Sequence, residues 1–355
     1  LEVLKPFRLP IIREILNNYK FDQPFHLYFN ALCKAHKQWG SKDRRIYKSA
    51  CYAYFRMGYA SGNLVNDETI IAAIAAVSEE IAVPAPEAIF PHSEYVSERI
   101  DFDAWARGLL RQRPLYLVMV RGKEEACIKY LEDKGIVFER LRNSCLRLPA
   151  DSKCDDLTER GWVWVMDLAS QEAADLVQVG QGDTVWDACS GAGGKSLYLC
   201  NKINIPFSLV CSDKRFGILE NLKTRFRASG LKLPRIELTD LTSGFQLSEK
   251  FDKIILDVPC SGSGTWGRTP ENITGFDLQK IDMYADLQRR IFANVLPHLK
   301  PGGLLYYMTC SVFKEENEGN VAFFIEHYGL KIHSEHYLPA DAQNSDYLYC
   351  AVLKF

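Results

Sequence analysis

Apolar residues recur at helical spacing through the first eighty positions, and the period then changes twice. Ile11, Ile12, Ile15 and Leu16 follow Pro10, and Phe25, Phe29, Leu32, Cys33 and His36 form a stripe at i, i+4, i+7, i+8 and i+11 that Gly40 ends. Ser41 is placed to cap a further helix with Ile46, Ala50, Ala53 and Met57 on one face, and a last helix runs through Ile70, Ile74 and Val77. Pro84, Pro86 and Pro91 then punctuate a linker. From about residue 98 the pattern is that of a small α+β unit. Leu115 to Val120 is strand-like, Lys123 to Lys134 is a helix stopped by Gly135, and Ile136 to Leu141 and Cys145 to Leu148 are short strands.

Beyond about residue 160, five short apolar runs alternate with mostly helix-length segments: Thr184–Asp187, Ser208–Asp213, Ile236–Asp240, Lys253–Val258 and Leu304–Cys310. Such alternation predicts an α/β fold with a mostly parallel sheet covered by helices on both faces. The organisation expected is a helical domain over 1–82, a linker over 83–97, an α+β subdomain over 98–160 and an α/β domain over 161–355.

Composition narrows the class. The 355 residues are 47% hydrophobic and 25% charged, as in an ordinary globular protein with room for two or three domains. The longest aliphatic run, Ile70 to Val77, is far short of the roughly 20 residues a helix needs to span a bilayer, so no membrane partner is expected. The eleven Cys are odd in number and none is at C-x-x-C spacing, which suits reduced thiols in a cytoplasm and no structural zinc. No His pair has metal-ligand spacing, and no metal is expected. The chain opens on Leu1 rather than Met and has no apolar signal core there, so its natural start is expected upstream.

The net charge of −2 hides strong segregation. Residues 1–60 hold eleven bases and four acids, net +7; 61–105 are −8, 106–150 are +5 and 151–355 are −6. Two basic stretches stand out. Lys34, Lys37, Lys42, Arg44, Arg45 and Lys48 interleave with His36, Trp39 and Tyr47, and Arg107, Arg111, Arg113 and Arg121 flank the first strand of the α+β unit. Either could be a solvated face or a phosphate-contacting surface. Trp266 and Arg268 could clamp a nucleotide, although Trp266 could equally be packing.

The chemistry gathers at the strand ends. Asp187, Asp213, Asp240 and Asp257 close four of the five runs or immediately follow them, and Cys310 closes the fifth. Ligands of doubly wound sheets bind outside the carboxyl ends of the strands, so these side chains should line one crevice. A single Asp there would be an unremarkable N-cap; four in succession are not. Cys189-Ser190-Gly191-Ala192-Gly193-Gly194-Lys195-Ser196 follows Asp187 and leads into a helix, a turn that brings backbone N–H groups close to a ligand. It lacks the glycine a P-loop needs, and its third G-x-G-x-x-G position is Ser196. Asp213 is placed to accept hydrogen bonds from a ribose diol. A ribose without a pyrophosphate cradle points to S-adenosylmethionine before NAD. Asp257-Val258-Pro259-Cys260 and Thr309-Cys310-Ser311 bring two thiols into one mouth, with Glu315-Glu316-Asn317-Glu318 beyond. Two thiols and a carboxylate facing a methyl donor suit covalent chemistry on a pyrimidine, whose C5 is a poor nucleophile until a thiolate adds at C6. Asp257 is placed to serve N3 as an acid. Spacing does not rank Cys260 against Cys310.

Three stretches, 187–196, 257–264 and 307–318, resemble the signature motifs of the Sun (Fmu) family of RNA cytosine-C5 methyltransferases, most like its small-subunit ribosomal RNA members. The resemblance implies a Rossmann-like class I methyltransferase domain with a seven-stranded sheet, an RNA-recognition-like subdomain over 98–160 and a NusB-like helical domain over 1–82. It further implies S-adenosylmethionine held by Asp187, Cys189, Ser190, Gly191, Ala192, Gly193, Gly194 and Lys195, with Asp213 on the ribose, Asp240 on the adenine amino group and Asp257 between cofactor and base. Cys310 would be the nucleophile and Cys260 would help expel the product. The implied partner is RNA, ribosomal RNA in particular, bound through segments 34–48 and 107–121 by a cytoplasmic monomer. Ala192 in place of a usual Pro, Met166 in place of a usual Gln, a loose basic loop at Arg268-Thr269-Pro270-Glu271 and a short helical part depart from the pattern. A nicotinamide-dependent oxidoreductase and an RNA-binding assembly factor without turnover are the alternative readings.

Overall fold

The computed structural model describes residues 5–62, 64–79, 81–142, 144–245, 247–339 and 344–355. They divide into two compact units, one of residues 1–112 with 263–278 and one of 113–262 with 279–355.

The first unit is helical. Helices Leu9–Asn18, Phe25–Ala35, Ser41–Arg56 and Asp67–Val77 bury Ile12, Phe25, Phe29, Tyr47, Ala50, Cys51 and Ile70. The rings of Tyr19 and Phe55 lie 5.3 and 4.9 Å from that of Phe25, both near edge-on, a preferred aromatic geometry. Ser41 is the first helical residue rather than the cap, and Gly40 holds the cap position without a side-chain bond. Asp67–Val77 has a reciprocal capping box instead: the Thr69 N–H donates to Asn66 Oδ1, and the Asn66 N–H donates to Thr69 Oγ1. Residues 83–97 contain a short helix, Pro86–Ile89, and bury Ile89, Phe90 and Val96, because the apolar residues between the prolines have a core to enter. The excursion 263–278 joins this unit. Glu271 Oε1 accepts from the Phe25 N–H at 3.1 Å, and Arg56 Nη1 donates to the carbonyls of Leu109, Arg111 and Gly267 at 2.9–3.0 Å.

The second unit holds two sheets. Strands β1 (Leu115–Met119), β2 (Glu139–Arg142), β3 (Cys145–Leu148) and β4 (Val163–Val165) form an antiparallel sheet of order β2-β3-β1-β4. Helix Glu124–Asp133 covers one of its faces through Cys127 and Leu131. The large sheet comprises β5 (Thr184–Asp187), β6 (Ser208–Asp213), β7 (Arg235–Leu238), β8 (Phe251–Asp257), β9 (Leu299–Thr309), β10 (Lys331–Leu338) and β11 (Leu348–Lys354), in the order β10-β11-β9-β8-β5-β6-β7. β7, β6, β5, β8 and β9 run parallel; β11 is antiparallel to β9 and to β10.

Alternation along the central strands sorts their side chains into two cores. Val185, Ile255, Tyr306 and Met308 pack with helices Leu168–Asp175, Gly194–Lys202 and Phe216–Ala228. Trp186, Ile254, Leu256, Leu305 and Tyr307 pack with helices Lys280–Val295 and Glu318–Tyr328. This is a class I methyltransferase fold with a mostly parallel seven-stranded sheet. The small sheet shares the first of these cores through Val118 and Trp164.

Several strands differ from the sequence reading. β7 ends at Leu238, so Asp240 lies in the following turn. β9 starts at Leu299, pairing with Phe251 before an irregularity in register that admits Lys300 to Gly303. β10 and β11 escape the alternation rule because they are antiparallel and no helix separates them.

Candidate active site

The crevice is built from the carboxyl ends of β5, β6, β8 and β9. After β5 the chain turns sharply. Gly191 and Gly193 take φ of +53° and +77°, and a Cβ on Gly193 would meet Leu222 Cγ at 2.8 Å, so this position requires glycine. The turn is tied to β6 by the Ser190 N–H, which donates to the Ser212 carbonyl at 2.8 Å, and by the Gly191 N–H, which donates to Asp213 Oδ2 at 3.1 Å.

Asp187, Ser190, Gly194, Lys195 and Asp257 line one cleft of about 210 Å³, together with Met166, Asp167, Ser170 and Arg225. Asp187 is buried; its Oδ2 accepts from Ser196 Oγ at 2.6 Å, whereas its Oδ1 has no partner among the described residues. Burial, aided by the charge of Asp257, pushes its carboxyl up to about 7. Lys195 donates to Asp257 Oδ2 at 2.5 Å; burial works against its ammonium, but the Asp257 carboxylate outweighs this and holds it above the ordinary lysine value. Burial and the surrounding carboxylates keep Cys189 a neutral thiol.

Asp213 accepts from the Arg215 N–H, Nε and Nη2, each at 2.9 Å. Burial works upward on its carboxyl, but Arg215 and the Gly191 N–H hold it below the usual range. Asp240 is exposed, and its Oδ1 accepts from the N–H and hydroxyl of Thr242, which lower its pKa. Cys189, Gly191, Ala192, Gly193, Asp213 and Asp240 are not among the residues lining that cleft. Cys189 to Gly193 form the turn beside it, and Asp213 closes the neighbouring strand.

S-adenosylmethionine fits these groups. The unpartnered buried Asp187 oxygen and the acids Asp167, Asp187 and Asp257 suit a cationic ligand, and Gly194 leaves open space where a side chain would stand.

At the other side of Asp257, Cys260 and Cys310 face each other with sulfurs 3.3 Å apart. The hydrogen bond to Cys310, burial and the charge of Glu316 all raise Cys260 above the ordinary thiol value; either sulfur can be the donor of the bond between them. Behind the thiols, Glu316 is fully buried. Its Oε2 accepts from the Ser261 N–H at 2.9 Å and Gln288 Nε2 at 3.0 Å, and its Oε1 accepts from Ser311 Oγ at 2.6 Å. The Ser261 and Ser311 hydroxyls are themselves 3.0 Å apart. Tyr284, on helix Lys280–Val295, is raised by burial and by the charges of Cys260, Glu316 and Cys310. The sequence reading gave no residue of the 315–318 segment a role, and the structure turns Glu316 of that segment inward. It missed Arg215, Arg225, Gln288 and Tyr284, none of which sits in a recognisable motif.

The basic stretches have separate fates. Lys34, Lys37, Lys42 and Arg45 are exposed, and His36 stacks on Trp39 at 4.4 Å. Arg107 and Arg111 are exposed in the first unit, Arg121 is exposed in the second, and Arg113 is buried and so offers no free cationic face. Trp266 is fully buried against Phe90, Trp105 and Phe276, which makes it a packing residue and not a nucleotide clamp. Among the described residues, no cluster of His, Cys, Asp or Glu could hold a metal ion, and no helix is long and apolar enough to cross a membrane.

Comparison with known proteins agrees with this geometry. Residues 174–346 match the family described as 16S rRNA methyltransferase RsmB/F. Ribosomal RNA small subunit methyltransferase B of Cronobacter sakazakii is 31% identical over 206 residues, 56% of this chain and 47% of the relative. The enzyme of the same name from Yersinia enterocolitica is 29% identical over 252 residues, 67% of this chain and 58% of the relative. The chain thus spans about half the length of these relatives. Among solved structures, that of PH0851 superposes with a TM-score of 0.76 over 99% of both chains at 19% identity. The NSun6 structure from Pyrococcus horikoshii, with SFG, gives 0.61 over 68% of this chain and 91% of its own at 17% identity. At those identities the superpositions speak for the fold alone, and the fold, the motifs and the sequence match point the same way: over residues 174–346 this chain is similar to the RsmB/F (Sun/Fmu) methyltransferase family.

Proposed function

We propose that this protein transfers a methyl group from S-adenosylmethionine to C5 of a cytosine in RNA, ribosomal RNA of the small subunit being the substrate its relatives' names suggest. The observation that carries the reading is the thiol pair at the ends of β8 and β9, directly beyond the Lys195–Asp257 ion pair. When bound, S-adenosylmethionine supplies an electrophilic methyl group. Cys310 is the nucleophile that the family resemblance implies, and its sulfur lies 3.3 Å from that of Cys260. Its bond to C6 of the ring, with Asp257 serving N3, turns C5 into an enamine-like carbon that accepts the methyl group. A base then takes the C5 proton, the electrons of that C–H bond restore the C5–C6 double bond as the C6–S pair leaves on Cys310, and the Cys260 S–H would stabilise the departing thiolate. Asp213 would hold the ribose and Asp240 the adenine amino group.

The helical region 1–82 and the subdomain 98–160 would supply the RNA-contacting cations, with the target base presented from a loop or single strand. The catalytic domain would meanwhile retain its acids. The test is transfer of tritiated methyl from S-adenosylmethionine to small-subunit rRNA lacking the modification, with the product base identified as 5-methylcytosine. Methylation of another base, or none in the presence of bound cofactor, rejects the reading.

A further inference from the structure

Cys260 and Cys310 stand beyond the ends of their strands. The β8–β9 ladder closes with Asp257 opposite Met308, and the Val258 N–H donates to the Met308 carbonyl at 3.0 Å. The thiols are therefore on irregular backbone, where a regular ladder does not fix their separation. One side chain grips both loops at the residue after each thiol: Glu316 accepts from the Ser261 N–H with one oxygen and from the Ser311 hydroxyl with the other. Gln288 joins the same loops from helix Lys280–Val295, its amide donating to Glu316 Oε2 and to the Pro259 carbonyl, each at 3.0 Å. Gln288 is oriented in turn by Asn320, which donates to its Oε1 at 2.7 Å, and by the Tyr307 hydroxyl at 2.8 Å.

A carboxylate with no exposed surface is an expensive way to fill a core, since burying its charge costs several kcal/mol before its hydrogen bonds offset that. Fold alone does not call for it. Building on the reading above, in which Cys310 attacks and Cys260 assists, we propose that Glu316 is the positioning residue that sets the two thiols against each other and makes them unequal in reactivity. The geometry carries the positioning, with one donor from each thiol loop and a third from helix Lys280–Val295 converging on one buried group. Its charge adds to this, because it disfavours a thiolate on Cys260.

Glu316→Gln keeps the shape but sets an amide against donors. In the ligand-free protein, the ratio of Cys310 to Cys260 alkylation by iodoacetamide near pH 7.5, resolved by peptide mass, should fall about tenfold, the effect of one unit between the two thiols. In turnover, kcat should fall ~10²-fold, the scale of a misplacement near 1 Å, while KM for RNA and S-adenosylhomocysteine affinity stay within threefold. Glu316→Asp should restore part of the alkylation ratio. Should Glu316→Gln fail to fold, Ser311→Ala, which removes one of the three contacts, should shift the same ratio in the same direction. An unchanged ratio and kcat in a folded variant overturns the proposal. Cys310→Ala, run alongside, separates the two readings: if it retains turnover while Glu316→Gln still moves the alkylation ratio, the nucleophile is misassigned and the positioning role stands.

Discussion

The Cys260 and Cys310 sulfurs lie 3.3 Å apart, within hydrogen-bonding reach and at the mouths of adjacent parallel strands. In the proposed reaction the two thiols have different roles, and their removal should have unequal effects. Cys310→Ala should abolish methyl transfer and covalent capture of RNA. Cys260→Ala removes the donor that stabilises the departing thiolate, so an RNA adduct that survives denaturation should accumulate while turnover falls. Gel shift after denaturation, with and without S-adenosylmethionine, distinguishes the two. Full turnover by Cys310→Ala would sink the assignment.

Asp187 gives the cofactor site a pH dependence. Burial raises its carboxyl to about 7, so the folded protein holds this proton where the unfolded chain, with an acid near 3.8, has lost it. The sign follows: ionising Asp187 costs folding stability progressively from about pH 4, and the cost levels off above about 7. A cationic ligand beside Asp187 favours its ionised form. S-adenosylmethionine should therefore bind more tightly as pH rises towards 7 and release a proton at pH 6. Calorimetry at pH 6 in two buffers of different ionisation enthalpy measures that proton; Asp187→Asn should release none.

Much of this site was legible as pattern, and what escaped was of one kind. β5, β6 and the acids at the ends of β5, β6 and β8 could be read because a strand of alternating apolar residues leaves its last polar residue at the sheet edge. The thiol pair could be paired because parallel neighbours share a mouth, although spacing does not rank them and their order rests on the family resemblance. Arg215 on Asp213, Gln288 and Glu316 behind the thiols, and Arg225 in the cleft are meetings between elements, and no local period encodes them. Arg113 was misread, and Trp266 was left open between clamp and packing, for the converse reason: a cation or an indole in a basic or motif-rich stretch looks accessible until the core it enters is known.

Adjacent glycines in the cofactor turn should fail differently. Gly193→Ala puts a methyl group 2.8 Å from Leu222 Cγ at a φ of +77°, a combination costing about 1–3 kcal/mol, and should lower Tm. Gly194 has nothing within 4 Å of its would-be Cβ and lines the cleft. Gly194→Ala should leave Tm within roughly 2 °C yet weaken cofactor binding. Paired thermal melts and calorimetry read both; a Tm loss confined to Gly194→Ala would contradict the packing.

Arg215 holds three of the hydrogen bonds on Asp213 that a ribose diol would use. Its Nε and Nη2 must let go for the ribose to bind, so Arg215→Ala should tighten S-adenosylhomocysteine binding roughly threefold to tenfold, the worth of one net hydrogen bond. Asp213→Ala should weaken it by a comparable or larger factor. Weaker binding by Arg215→Ala would mean that Arg215 contacts the cofactor and does not compete with it.

The cluster at 34–48 should carry the salt dependence of RNA binding. Deleting residues 1–60 is a poor test, because it removes Tyr19, Phe25 and Phe55 from the aromatic core of the first unit and leaves Glu271 without its Phe25 N–H. Lys34, Lys37, Lys42 and Arg45 are exposed, so replacing all four by Gln removes charge with little cost to packing. Each phosphate contact contributes about 0.7 to the slope of log K against log salt for single strands and about 0.9 for duplex. The fourfold variant should thus bind RNA more weakly and lose up to roughly 3 from that slope, with S-adenosylhomocysteine affinity unchanged because the cofactor site lies in the other unit. Filter binding between 50 and 300 mM salt, approximately the range over which such contacts are screened, measures both. An unaltered slope would return the cluster to an ordinary solvated helix face.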